Sequence, residues 1–371
     1  MMNMTEFVQL HMLVSYPPSN LNRDDLGRPK TAVMGGQQRL RISSQSLKRA
    51  WRESEVFSTE LAGHQGIRTK EMGKLIAESF QTGIPLRSLI AGEKDQSAVF
   101  TPIQEKEAVK YAHIIAGVFG KMKKGDDSLE IEQLAHFSPE EILQIENFIK
   151  IVAEKGKEPA ANEMDLLKKR HTAADIAMFG RMLASSPAYN TEAAVQVAHA
   201  ITVHPVAVED DYFTAVDDLN RGEEDVGAGH IGDLEFGAGL FYLYICINTD
   251  LLRENLMDDP KLTSLALRSL ITAATTVSPS GKQNSFGSRA YASYLLAEKG
   301  SQQPRSLSVA FLSPKREEKD LLGAAIESLQ VTKSRMDNAY GPCSEGSAEM
   351  NLHTGEGTLA EILDFVAGTH A

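Results

Sequence analysis

KTAVMGGQQRLRISSQSLKRAWR, residues 30–52, is the stretch around which the rest of the chain can be read. From Arg28 to Arg52 there are seven basic side chains (Arg28, Lys30, Arg39, Arg41, Lys48, Arg49, Arg52) and no acid, in a chain whose formal charge is -12. Setting those seven aside leaves -19 on the remainder, so positive charge is segregated into a footprint for an anion on an acidic body. In Gln38-Arg39-Leu40-Arg41-Ile42 the alternation predicts a strand with Arg39 and Arg41 on one face and Leu40 and Ile42 on the other. Ser43 or Ser44 then caps a helix, with Ile42 against Leu47 as a hydrophobic staple. On that helix Leu47, Ala50 and Trp51 share one side, and Gln45, Lys48, Arg49 and Arg52 the other. Its first N–H groups and dipole suit a phosphate, and Gly35-Gly36 lets the backbone turn or approach a ligand closely. The plain alternative is a solvated amphipathic helix. Cations repeated along an extended path favour a polyanion instead.

Bulk properties set outer bounds. At 371 residues the chain holds one large domain with insertions, or two domains. A composition of 42% hydrophobic and 24% charged residues is that of a soluble globular protein. No run is long and apolar enough to span a bilayer, and the N-terminus lacks a signal peptide's basic start and apolar core. Cys246 and Cys343 lie far apart in sequence, which suits a reduced, cytoplasmic protein with structural or incidental thiols. The acidic balance argues weakly against nucleic acid, but a groove's own charge sets affinity for phosphates.

Along the chain, residues 6–16 read as a strand with Val8, Leu10, Met12 and Val14 on its buried face, ended by Pro17-Pro18. His11 on that strand reads as structural. Asn22-Arg23-Asp24-Asp25 reads as an Asx turn or an Arg23–carboxylate contact. From 56 to 190 helical periodicity takes over at 68–81, 104–121, 138–155 and 161–183, a helical insertion without chemical motifs; KMKKGDD (121–127) reads as a solvated loop. AAVQVAHAITVHPVAV (193–208) and LFYLYICIN (240–248) are strand-like and flank a long excursion, which predicts a projecting hairpin. At its turning section Tyr212 and Phe213 stand among Glu209, Asp210, Asp211, Asp217 and Asp218, so they either fill a local core or stack on something from outside. GAGHIGDLEFGAG (227–239) lacks the ending of a P-loop and reads as hairpin or bulge glycines. Helices at 262–277 and 319–332, a strand at 307–312 (LSVAFL) and a final helix near 358–367 complete a βαββαβ-like order, the ferredoxin or RNA-recognition arrangement, interrupted twice.

Catalysis finds little support. His199, His204 and His230 lack zinc-helix spacing, neither cysteine joins them, and there is no G-x-S-x-G elbow. A metal-independent endoribonuclease using His11 or His230 with Lys30 is the competing reading, because acid–base pairs need no local motif. A metabolic α/β enzyme would need a cofactor fingerprint, and none stands in the sequence.

LNRDD (21–25), Lys30, Gly35-Gly36 and RLRISSQSLKRA (39–50) resemble the N-terminal signature of the CasC family, the backbone subunits of type I-E CRISPR Cascade complexes. GRM (180–182), AHAIT (198–202), YFTAVDDL (212–219) and GAGHIGDLEFGAGLFY (227–242) continue the resemblance, and Gly281-Lys282-Gln283 resembles a weaker family segment. The resemblance implies an α+β fold: an RNA-recognition-like palm from 1–55 and 191–371, a β-hairpin thumb at about 203–235, and helical fingers from 56–190. It implies a non-catalytic subunit that multiplies along a CRISPR guide RNA and presents it to target DNA, with hydrolysis left to a recruited helicase-nuclease. Further copies of itself, the subunit capping the guide's 5′ end, the large and small subunits and the repeat endoribonuclease are the implied partners; no cofactor or metal is expected.

The expected site follows from both lines. Arg23, Lys30, Arg39, Arg41, Lys48, Arg49 and Arg52 hold phosphates, with hydrogen bonds from Ser43, Ser44 and Gln45, and base identity is ignored because guides vary. Tyr212, Phe213, Thr214 and Met182 form a wedge that unstacks bases. Gln37 and Gln38 stand where the family is expected to be more basic. The acidic thumb is expected to keep off its own groove or to meet a basic patch on the next subunit.

Overall fold

In the computed structural model, which describes residues 5–93, 97–125, 128–215, 230–315 and 319–368, the first strand is buried on both faces. This is β1 (Phe7–Ser19), solidly buried from Val8 to Val14, including the polar Gln9 and His11. Burial on both faces marks a central strand: β9 (His230–Asn248) pairs on one side and β10 (Ala292–Gly300) on the other, both antiparallel. Pro17-Pro18 does not end β1. It runs on to Ser19, and the pairing with β9 slips between Tyr16 and Ser19, where two prolines have no N–H to offer.

The remaining strands are β2 (Thr31–Met34), β3 (Gln37–Ile42), β4 (Ile67–Thr69), β5 (Ala135–Phe137), β6 (Val195–Val197), β7 (Ala200–Thr202), β8 (Glu209–Ala215) and β11 (Gly346–Asn351). The main sheet runs β11-β10-β1-β9-β7-β3-β2, with β6 and β8 also pairing along β9. The chain is thus a mixed α+β fold. It divides into two compact units, one of Met1–Ser58, Gln196–Thr249 and Leu267–Ala371, the other of Thr59–Val195 and Asp250–Ala266.

In the first unit one sheet face carries Leu13, Leu240, Tyr242, Tyr294 and Leu296, packed with Leu307, Phe311, Ala325, Ile326 and Leu329 from a 3-10 turn and the helix Leu321–Tyr340. LSVAFL is therefore not a strand: Ser308–Phe311 is that 3-10 turn, and the strand in its place is β10. Helices stand at Pro260–Thr276 and Leu359–Ala367, the latter opened by a Thr358–Glu361 capping box.

The second unit is built on the helices Met72–Thr82, Glu105–Gly117 and Pro139–Lys155 around Ile76, Phe80, Ile115, Phe119, Phe137, Ile145 and Ile149, with β4 and β5 paired beside them. The helix expected over 161–183 is mostly absent, reduced to a 3-10 turn at Ala161–Glu163 and the short helix Ala174–Phe179. Side chains have taken over its backbone bonds. Glu141 accepts from the Lys168 N–H at 2.9 Å, Glu140 accepts from the Thr172 N–H at 2.8 Å, and Arg181 donates to the carbonyls of Lys168 and Tyr189. Arg181 and Glu141 also form a buried ion pair at 2.6 Å.

A buried polar hub joins the first unit's strands to its helix. The Glu298 carboxylate on β10 has no exposure. It accepts from His11 Nε2 at 3.2 Å, Arg305 Nη1 at 2.5 Å and Nη2 at 3.1 Å, and Ser344 at 2.9 Å, with Lys333 at 3.5 Å. A carboxylate only accepts, so His11 carries its proton on Nε2, and Tyr242 donates its hydroxyl to Nδ1 at 2.8 Å. The ring is neutral: burial lowers the His11 pKa more than the carboxylate raises it. Burial pushes the Glu298 carboxyl up, but the His11 and Arg305 bonds outweigh it and hold it well below the usual carboxylate range.

Both shifts make folding sensitive to acid. A histidine whose folded pKa is lowered contributes stability above its unfolded value of 6.5, and that contribution fades below it. A carboxylate with a depressed folded pKa contributes above 4.5, and that too is lost as pH falls. Glu298→Gln is expected to cost about 3–5 kcal/mol at neutral pH, because Arg305 and Lys333 lose the buried carboxylate they share and Arg305 keeps only Asp337 at 3.4 Å. It also flattens the acid limb below 4.5. Chemical denaturation across pH checks this, and an unchanged unfolding midpoint at neutral pH would contradict it.

Candidate nucleic-acid interface

The turn before β2 is an Asx turn: the Asp24 carboxylate accepts from the N–H groups of Leu26 and Arg28, each at 2.9 Å. Asn22 ties this turn to the helix that follows, its side-chain oxygen accepting from the Ser43 N–H at 2.8 Å and its carbonyl from the Lys30 N–H at 2.8 Å. β2 and β3 form a hairpin closed by Gly35-Gly36, both with positive φ (59° and 72°), as a tight two-residue turn requires. The close approach at Gly35 is to the chain's own backbone. A Cβ there would stand 1.7 Å from the Leu312 carbonyl oxygen.

Arg39 is not available to a phosphate. It has no exposure, and its guanidinium donates to the carbonyls of Thr202 at 2.6 Å and Phe311 at 2.9 Å. The Ser308–Phe311 turn covers the Arg39 side of β3, and Leu40 on the other face is buried as well, so the alternation of charge does not become an alternation of exposure. Arg41, two residues on, is half-buried and donates through Nη1 to His199 Nδ1 at 2.7 Å. The Arg41 N–H also donates to the Lys30 carbonyl at 2.8 Å, so Lys30, Arg41 and His199 are neighbours, and burial, then Arg41, then Lys30 lower the pKa of that exposed histidine.

Helix α1 (Ser44–Arg52) is capped by Ser43, whose side chain accepts from the Ser46 N–H. Leu47 and Trp51 are buried, Gln45 and Arg49 exposed, and Ser44, Lys48 and Arg52 half-buried. Burial lowers the Lys48 pKa. Two acids from outside the run reach its cations. Glu53 accepts from Arg49 Nε at 3.0 Å and lies 3.4 Å from Arg52, and Glu235 on β9 accepts from Arg28 Nε at 3.1 Å. Between the Asx turn and α1 lies a concavity of about 520 Å³, with Arg23 and Arg49 on its walls beside Asp24, Asp25 and Glu53, and Ser280-Gly281 at its rim. Lys282 follows there, exposed.

β8 pairs with the outer part of β9, Glu209 opposite Phe236 and Ala215 opposite His230. Residues 216–229, with Asp217, Asp218 and the start of the glycine-rich run, lie outside the described residues. Tyr212 and Phe213 are 65% and 44% exposed, and Thr214 is exposed, so the aromatics are not a sealed local core. Phe213 lies over Gly232, where a Cβ would meet its ring at 2.2 Å; Gly232, Gly237 and Gly239 lie within β9, the second strand of the hairpin. By register, Asp210, Tyr212 and Thr214 share a face with Asp233 and Glu235, and like charges stand opposite one another at Asp210 and Glu235. Met182 belongs to the second unit, is 73% exposed, and lines a 200 Å³ cavity with Phe119, Leu134 and Leu183.

Two of the histidines weighed for acid–base or zinc chemistry, His11 and His204, are engaged within the fold. His11 sits inside the sheet with both nitrogens bonded, out of reach of a polymer in solvent. His204 is held on both sides by backbone, donating from Nδ1 to the Pro205 carbonyl and accepting at Nε2 from the Leu240 N–H. Among the described residues no group of three or more His, Cys, Asp or Glu is arranged to hold a metal ion, and no helix is long and apolar enough to cross a membrane. His199 was weighed in the sequence only for zinc-ligand spacing. Its place beside Arg41 depends on the β3–β7 pairing, which puts Arg41 opposite Ile201.

Among solved structures, a chain of a CRISPR RNA-guided surveillance complex, pre-nicking, is 28% identical, with a TM-score of 0.78 over 97% of this chain and 99% of that one. A chain of a second CRISPR RNA-guided surveillance complex, 24% identical with a TM-score of 0.57 over 97% and 98% of the two chains, shares the fold. No curated protein matches. A family described as CT1975-like protein matches residues 8–364, nearly the whole sequence. The chain belongs to the CT1975-like protein family.

Proposed function

We propose that this chain is the guide-RNA-binding backbone subunit of a type I-E Cascade surveillance complex, a CasC protein. The observation that carries the reading is the likeness, over almost the full length of both chains, to a subunit of an RNA-guided complex. The finer assignment to CasC and type I-E rests on the motifs at 21–25, 39–50 and 212–219. Topology supports the RNA-recognition-like palm. β1, β7, β9 and β10 lie side by side in the order β10-β1-β9-β7, with α1 after the first and the helix Pro260–Thr276 after the third, which is the 4-1-3-2 pattern of a ferredoxin-like βαββαβ unit. The second unit would be the fingers and β8–β9 the thumb.

In this reading Lys30, Arg41, Lys48, Arg49 and Arg52, with Arg23 at the adjoining concavity, contact the phosphates, and Ser44 and Gln45 add hydrogen bonds. Ser43 serves as the cap of α1. Arg39 drops out of the contact set and becomes the brace that holds β3. Binding through the backbone leaves the bases unread, as a subunit serving many guides requires. Tyr212, Phe213 and Thr214 on β8 would wedge between bases, and Met182 on the second unit would make an apolar contact of its own, leaving exposed segments to pair with target DNA. Copies of the same chain, the 5′-end cap, large and small subunits and the repeat endoribonuclease would be neighbours in the cytoplasm. Cutting would fall to a recruited helicase-nuclease, with this chain non-catalytic.

The chain expressed alone and purified is expected to carry RNA that stays uncleaved on incubation and is lost in an Arg49→Glu/Arg52→Glu variant. RNA that shortens with time would overturn the non-catalytic role. A companion pair separates brace from contact. Arg39→Leu is expected to destabilise the fold by about 2–4 kcal/mol, since two buried carbonyls lose their donor. Arg41→Ala is expected to leave the melting temperature within a degree or so and weaken RNA binding by about tenfold, as loss of one charge-assisted contact does. The reverse pattern would assign the roles the other way round.

A further inference from the structure

We propose that His199 is part of the phosphate site and takes up a proton as RNA binds, so that one phosphodiester is held by three cations, Lys30, Arg41 and His199; this rests on the RNA-binding reading above. In the free protein burial, then Arg41 and Lys30, lower the pKa of the ring. Its Nδ1 accepts from the Arg41 guanidinium at 2.7 Å, so that nitrogen carries no proton and the ring's one hydrogen is on Nε2. The charged groups acting on it are Arg41 from β3 and Lys30 from the segment leading into β2. On its other flank β9 presents Tyr244, whose carbonyl accepts from the Ala198 N–H and whose hydroxyl is turned away to Gln9. The ring itself is exposed. Two cations beside an exposed imidazole make a locus of positive potential that suits an anion.

A phosphodiester arriving there reverses the balance. A negative charge within a few ångströms favours the protonated imidazole by about 1–3 pKa units, against the two cations that disfavour it. The proton comes from solvent and binds Nδ1, the nitrogen that had accepted from Arg41. Both ring nitrogens then donate, and the Arg41 Nη1–H released from the ring is free to turn to the phosphate, where a guanidinium binds two oxygens at once. His199 therefore has two successive roles. It holds Arg41 in position before RNA arrives, and it adds a third positive charge afterwards. The free pKa lies below 6.5 and the bound pKa above the free one, so affinity rises as pH falls through the bound value and levels off below the free value.

Binding of labelled polyuridine by fluorescence anisotropy, at fixed salt from about pH 8 to about pH 6, tests this; neither uracil nor a phosphodiester titrates in that range. The wild-type affinity is expected to rise roughly fivefold over the interval, with net proton uptake seen as a buffer-dependent binding heat. His199→Gln keeps an acceptor for Arg41 but cannot take up a proton, so it is expected to lose the rise. A flat wild-type profile, or the same rise in His199→Gln, would overturn the role of His199 while leaving RNA binding in place. No polyuridine binding at any pH would overturn both readings.

Discussion

Arg39 carries a full charge into the body of the protein, and the placement of the basic segment depends on where that charge is satisfied. Its guanidinium reaches the carbonyls of Thr202 on β7 and Phe311 in the 3-10 turn, while the Leu40 N–H donates to the Thr202 hydroxyl at 3.2 Å. These bonds fix β3 in depth and in register. A cation buried without such partners would be prohibitively costly, so the carbonyls and the arginine require one another. Once β3 is fixed, Arg41 falls beside His199, the Gly35-Gly36 turn closes against Leu312, and the strand delivers the chain to Ser43, the cap of α1. The cations available to solvent are therefore held by one that is not.

Charge is managed in the same way elsewhere. A run of seven cations without an acid looks, in sequence, like an undivided positive surface, yet folding brings Glu53 to Arg49 and Arg52, and Glu235 to Arg28. Exposed pairs of this kind contribute about 0–1 kcal/mol to stability. Their greater consequence is to hold long side chains in place and to lower the field that a polyanion meets. The base of the β8–β9 hairpin is tied to the same region, with Asn20 donating to the carbonyls of Gly27 and Glu235, both at 2.9 Å. The acidic face of the hairpin thus begins beside the basic segment of its own chain, and Arg28 offsets part of the repulsion between Asp210 and Glu235.

How much of this was legible depended on whether a residue's environment is set locally. α1 could be read because cap, staple and apolar spacing all lie within ten or so residues, and the Asx turn because Asp24 bonds its own backbone. β1 was found, but not its burial on both faces, since Gln9 and His11 look solvent-facing until Tyr244, Tyr242 and Glu298 arrive from distant strands. The same hub hid β10: a glutamate and a lysine near the end of ASYLLAEKG argue against a central strand, and it takes Arg305, Lys333, His11 and Ser344 to make Glu298 tolerable there. The turn at Ser308–Phe311 was mistaken for a strand because its apolar run is buried, which a 3-10 turn under a helix achieves equally well. At the site, Lys30, Arg41 and the α1 cations were visible as a charge pattern. The withdrawal of Arg39 and the arrival of His199 were not, because both follow from the pairing of β3 with β7.

If binding runs through the phosphate backbone, it should obey the arithmetic of counterion release and ignore sequence. The measurement that tests this most directly is the salt dependence of affinity for unstructured RNAs of different base composition, polyuridine and polyadenosine at the least. The account predicts a linear fall of log affinity with log salt of about −0.7 for each phosphate neutralised, with the same slope for both polymers. Affinity that hardly responds to salt, or that separates the two polymers by orders of magnitude, would contradict it, since binding would then rest on base contacts that the row of cations from Lys30 to Arg52 does not make.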